Sequence, residues 1–176
     1  MNIKTSLGHK LEGKKYKIEK SDIIRDSIMF ENIVYLRNKY PNEKMILFGS
    51  STHFKRNVKA TNSKFAQNSG WINLGERLSK EFQDDYFFIA YTGVSGNTRG
   101  FYGKKQKLKK LIPNSIESMV DEKYDASIDI MYLSKNRDKA ILDEAVYSRL
   151  MGNTFYEIDL TKTVDGLFFI RNNNMD

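Results

Sequence analysis

The sequence predicts an α/β domain: a mostly parallel sheet of about four strands with flanking helices. Three observations carry this expectation. Short apolar runs of strand length occur at Lys44–Phe48, Tyr86–Thr92, Ala126–Leu133 and Leu167–Ile170. Segments with apolar residues at helical spacing lie between most of them. The two kinds of segment alternate along the chain, which parallel strands joined by crossover helices satisfy most economically.

Each element has a local reason. Residues 1–20 are polar, lysine-rich and aperiodic, so they read as a tail, and residues 21–176 as a single domain. Ser21 or Asp22 can cap a helix running to about Lys39, where Tyr40-Pro41-Asn42 stops it. Arg25, Met29, Asn32 and Leu36 share one stripe of that helix, with Ile28 beside them, so two polar groups sit on a largely apolar face. Lys44–Phe48 then leads through Gly49 into the small polar loop Gly49-Ser50-Ser51-Thr52-His53. Loops at the carboxyl ends of strands are where α/β sheets hold ligands.

Asn73 and Glu76 form a capping-box pair for a helix carrying Leu74, Leu78 and Phe82, ending near Asp84. Tyr86–Thr92 is apolar on both faces, as interior parallel strands are, and runs into a glycine loop from Gly93 to Gly103. Pro113 and Asn114 open a short helix with Ile116, Met119 and Val120. Ala126–Leu133 is the third strand, Asp138–Leu150 a helix with Ile141, Leu142, Ala145 and Val146 inward, and Leu167–Ile170 the fourth strand.

Composition removes several function classes. The 176 residues fit one domain, and 40% hydrophobic with 29% charged residues describe a soluble protein with a core. No apolar run approaches the roughly 20 residues that cross a bilayer. Lysines 4, 10, 14 and 15 precede no apolar stretch, so no secretory leader is expected and a cytoplasmic location follows. Cysteine is absent, which excludes disulfides and thiolate chemistry, and two histidines, His9 and His53, are too few for an expected metal site. No cofactor is expected.

The net charge of +7 is concentrated before Lys20 and from Arg99 to Lys110. Phosphate-bearing partners are electrostatically allowed, but a charge block has no geometry of its own, and a solvated surface explains it. The segment Gly93 to Arg99 lacks the GxxxxGK[ST] pattern of a phosphate cradle. Tyr86, Phe87, Phe88 and Tyr91 are read as core rather than as a nucleic-acid stacking platform, so nucleic acid is an unlikely partner.

The helix Arg25-Asp26-Ser27-Ile28-Met29-Phe30-Glu31-Asn32, followed by a strand and a histidine loop, resembles the erythromycin esterase family, whose members carry an R-D-x-x-M-A-E-N helix and an A-H-N-x-H loop. His53 falls on the second family histidine, and Ser50 stands where the first would be. Leu74-Gly75-Glu76-Arg77-Leu78, Asp84-Asp85-Tyr86-Phe87-Phe88-Ile89, Tyr124-Asp125-Ala126-Ser127-Ile128-Asp129 and Val164-Asp165-Gly166-Leu167-Phe168 are similar to later family segments in the same order. The resemblance covers about Ser21 to Ile170 and corresponds to the C-terminal half of a family member. A preceding G-E-x-T-H-G loop has no counterpart.

The resemblance implies water attack on an ester or macrolactone, with a histidine base on the earlier loop and His53 as a supporting catalytic group. Arg25, Asn32 and Ser50 are the candidate substrate-binding residues. A small-molecule ester is the implied substrate, and a partner segment or subunit supplying the earlier loop is the implied partner. Ser50 has no activating neighbour in sequence, so a nucleophilic role is not expected of it. Two alternatives stay open: a divergent, non-catalytic member that binds a ligand or partner, and a basic nucleic-acid-binding domain.

Overall fold

The computed structural model describes residues 18–62, 71–99, 104–125 and 130–173. The expected segment Ala126–Asp129 and His9 lie outside them. Helix α1 (Ile18–Lys39) begins before the expected cap, so Ser21 and Asp22 lie inside it. It stops where proline predicts: Tyr40 N still donates to Leu36 O (2.9 Å), and Pro41 removes the next donor.

The following helices are short and individually capped. Ser50 caps α2 (Ser51–Phe54), and Asn73 caps α3 (Leu74–Phe82), accepting from Glu76 N at 2.8 Å. Only half of the expected capping box forms, because the Glu76 carboxylate accepts from Val58 N instead. Ser115 caps α4 (Ile116–Lys123) through Ser118 N. Helices α5 (Lys139–Glu144) and α6 (Leu160–Thr163) complete the set among the described residues.

The main sheet has the order β2-β1-β6-β3, with β1 Ile89–Arg99, β2 Lys105–Lys107, β3 Ile130–Ser134 and β6 Gly166–Asn173. A two-stranded ribbon pairs β4 (Tyr147–Ser148) with β5 (Tyr156–Glu157). The α/β class holds, with a four-stranded sheet and helices beside it. The strand directions differ from expectation: β1 and β6 are parallel, whereas β1–β2 and β3–β6 are antiparallel. The reason is connectivity. The short link from β1 to β2 suits a hairpin and is too short for a parallel crossover.

Four further expectations are corrected. Among the described residues Lys44–Phe48 joins no ladder, with β2 and β6 already flanking β1; Ile46 and Phe48 are each 94% exposed. Gly93 to Arg99 is part of β1 rather than a loop, and Gly100 to Gly103 lie outside the described residues; Gly96 has φ +98° and lies against the Asn173 backbone, where a Cβ would meet Asn173 O at 2.4 Å. The helix expected over Asp138–Leu150 ends at Glu144, because Val146 N and Tyr147 N both donate to Asn114 O and pull the chain toward β4. The aromatic strand buries one face only: Phe88 is buried, whereas Phe87 and Tyr91 are more than half exposed.

The core lies on the opposite face of the sheet. Ala90, Leu133, Leu167 and Phe169 pack there against Ile116 and Val120 of α4, Ile141 and Leu142 of α5, and Leu160 of α6. A smaller cluster of Val58 and Trp71, with Ile23 against it, joins α1 to the rest. That smaller cluster underlies the histidine.

Candidate functional site

His53 sits in α2, a single turn clamped from two sides. From α3, the Asn73 side chain donates to Thr52 O (2.9 Å) and Lys55 O (3.1 Å). Gly75 lets the backbones touch: a Cβ there would stand 2.1 Å from Phe54 O. From α1, Asp26 reaches the imidazole itself. His53 Nδ1 lies 2.7 Å from Asp26 Oδ1, and Asp26 is fully buried. The other carboxylate oxygen accepts from Trp71 Nε1 (3.1 Å) and from Leu74 N (3.3 Å), at the amino end of α3, where the helix dipole favours negative charge.

Arg25 closes the set from outside, with Nη2 2.8 Å from His53 Nε2. A guanidinium has no acceptor, so Nε2 contributes the lone pair and Nδ1 carries the proton that it donates to Asp26. The ring is therefore held as one neutral tautomer. Trp71 fixes its plane from the side, at 6.3 Å and 87°. The His53 side chain remains 19% exposed, which leaves an edge of the ring open to a ligand.

Among the residues singled out from sequence, the fold brings Arg25 and His53 together. Asn32 lies two turns further along α1, is exposed, and takes no part in these hydrogen bonds. Ser50 is a cap: its hydroxyl accepts from Thr52 N at 3.4 Å. Asp26 and Trp71 were missed as site residues. Asp26 was visible inside the helix string, but its sequence neighbours do not reveal that it points inward. Trp71, the only tryptophan, follows a polar stretch and carried no periodic signal.

Lys55, Glu117 and Arg149 are the other buried charged side chains among the described residues. Lys55, 2% exposed, donates to Thr61 Oγ1 (3.0 Å), and burial lowers its pKa to about 8. Glu117 accepts from Thr92 Oγ1, Ser148 Oγ and Arg149 N at 2.7–3.0 Å; burial still raises its pKa above the ordinary carboxylate range. A cleft walled by Asn57, Lys59, Asn62, Glu157, Asp159 and Lys162 does not include His53. No group of three or more histidine or acidic side chains able to hold a metal ion occurs among the described residues.

Comparison with known proteins bears on fold and family. A protein of known structure from Bacillus cereus superposes with a TM-score of 0.67 at 20% identity, over 89% of this chain and 40% of its own. A histidine-to-asparagine variant of the erythromycin esterase EreC, in its open conformation, gives 0.66 at 17% identity, over 87% and 38%. A succinoglycan biosynthesis protein gives 0.54 at 16% identity, over 70% and 32%. The chain thus spans about two fifths of the length of the first two structures. No curated protein matches. The family model for erythromycin esterase matches residues 8–173, nearly the whole sequence, and the chain belongs to the erythromycin esterase family.

Proposed function

We propose that the His53 centre serves hydrolysis of an ester or macrolactone by water, with His53 as a supporting group rather than the principal base. The observation that carries this reading is the Asp26–His53–Arg25 set: a buried carboxylate, an imidazole fixed in one tautomer, and a guanidinium on the outer nitrogen. Asp26 is a positioning residue, since it acts through the ring. Arg25 occupies the Nε2 lone pair at rest. The oxyanion that develops from an ester carbonyl is a better acceptor for the guanidinium than neutral imidazole. Its development would draw Arg25 away and free Nε2 to accept a hydrogen bond from the attacking water. The principal base then belongs to a partner segment or subunit, and a cytoplasmic role in macrolide resistance is part of the same reading.

The test is incubation of the purified chain, alone and with such a segment, with a macrolide and with simpler esters. A product heavier by one water is expected, and His53→Ala should remove it. Turnover no faster than buffer in both cases defeats the proposal.

A second reading has its own support. Ser50 stands where the family loop carries its first histidine, and it is spent on capping α2. A member that binds the ligand without cleaving it would show a raised melting temperature and no product.

A further inference from the structure

Three aromatic side chains cross the face of the main sheet that lies away from the core, and they form one row. Tyr91 on β1 stands opposite Phe168 on β6, and Phe168 stands opposite Tyr132 on β3, so the three side chains share a face. Tyr91 is 51% and Phe168 41% exposed, while their strand neighbours Ala90, Leu167 and Phe169 are buried. The Tyr132 and Phe168 ring centroids are 4.9 Å apart, and Tyr132 leans over Gly166, where a Cβ would meet its ring. Strands lie about 4.8 Å apart, so the row is about 10 Å long. The charge beside it has one sign. Strands β1, β2, β3 and β6 contain no acidic residue, whereas Arg99, Lys105 and Lys107 are exposed on the paired β1 and β2. The chain after Lys107 runs back along β1: Leu108 Cδ1 lies 3.0 Å from where a Cβ on Gly93 would stand, two residues from Tyr91. The lysine segment therefore approaches the aromatic row.

We propose that this face binds single-stranded nucleic acid, with unpaired bases stacked on Tyr91 and Phe168 and phosphates held by Arg99, Lys105 and Lys107. The sequence alone set Tyr91 in the core and so argued against such a partner; its exposure removes that objection. Two observations select this occupant. Solvated rings in a row on a sheet accept bases of any sequence, because every base has a stacking face. Cations without acids beside those rings complement a phosphate backbone that runs on from the stacked bases. A duplex offers the same charge but keeps its base faces covered. A second copy of this chain would bring like charge against like, since each carries +7. The surface uses none of Arg25, Asp26, His53 and Trp71, so it stands apart from the hydrolase reading.

The probe is a fluorescein-labelled oligothymidylate of about ten nucleotides, titrated with the whole chain and read by anisotropy. Saturable binding is expected at about 50 mM salt and should be about 20-fold weaker at about 200 mM, because three cations on a single strand give a logarithmic salt slope of about −2. Lys105→Gln and Lys107→Gln should each lower that slope by about 0.7. Tyr91→Ala should weaken binding by at least about fivefold, and Tyr91→Phe should not, since stacking needs the ring and not the hydroxyl. An abasic strand of the same length carries the same phosphates and requires no variant to fold; it should bind at least about fivefold more weakly than the oligothymidylate. Absence of saturable binding at about 100 μM protein overturns the proposal. Three other results do so as well: equal affinity for the abasic strand, a folded Tyr91→Ala chain that binds as the parent does, or tighter binding to phosphatidylserine vesicles than to the oligonucleotide.

Discussion

Asp26 holds more of the site than any other single side chain. Its two oxygens receive an imidazole, an indole and a backbone amide in a fully buried position. Asp26→Ala strands three donors and should cost about 3 kcal/mol in urea unfolding. Asp26→Asn keeps the shape but places an amide against one donor, so it should cost less than the alanine change and still release the His53 tautomer, read from the imidazole nitrogen shifts by NMR. Lys55 makes a pH prediction. Its amine loses the proton near pH 8 in the folded chain and near 10.5 when unfolded, so the folded state binds fewer protons between those values. Stability therefore rises with pH above about 8, by about 2 kcal/mol up to pH 10. Burial holds the Tyr86 hydroxyl protonated and reverses the trend only above its ordinary range. Lys55→Met should flatten the rise in melting temperature between pH 8 and 10.

The contact between α2 and α3 decides whether the histidine turn exists. A one-turn helix has no stability of its own, because nucleation costs more than its bonds return. Asn73 and Gly75 provide it from outside. Asn73→Ala loses the α3 cap and two bonds to α2 together and should destabilise by about 2 kcal/mol in chemical unfolding. Gly75→Ala drives a methyl into the Phe54 carbonyl, so the two helices must part; a loss of about 2–3 kcal/mol is expected, with hydrolysis or ligand binding falling in parallel. The Asn73 cap was legible from its spacing to Glu76. The need for glycine at position 75 was not, because it arises from a segment twenty residues away in sequence.

For the molecule as a whole, α1 is the loosely held part. Its main packing contact is with α3, and Ile24, Tyr35 and Leu36 stay exposed along it. Native-state hydrogen exchange should find α1 opening at lower free energy than β1 and β6, and Asp26→Ala should widen that gap without unfolding the sheet. Local pattern determined the α/β class, the stop of α1 at Pro41, the cap of α3 and the chemistry of His53, because each depends on residues within a turn or two of one another. Pairing of strands across long separations determined the rest. It made β3 antiparallel to β6, turned Gly93 to Arg99 into strand and left Met45–Phe48 outside the ladders of the described residues. It also brought Asp26 and Trp71 to the imidazole. Burial of a carboxylate and choice of a strand partner are settled by which distant surfaces meet, and residue order encodes that meeting only through the folded whole.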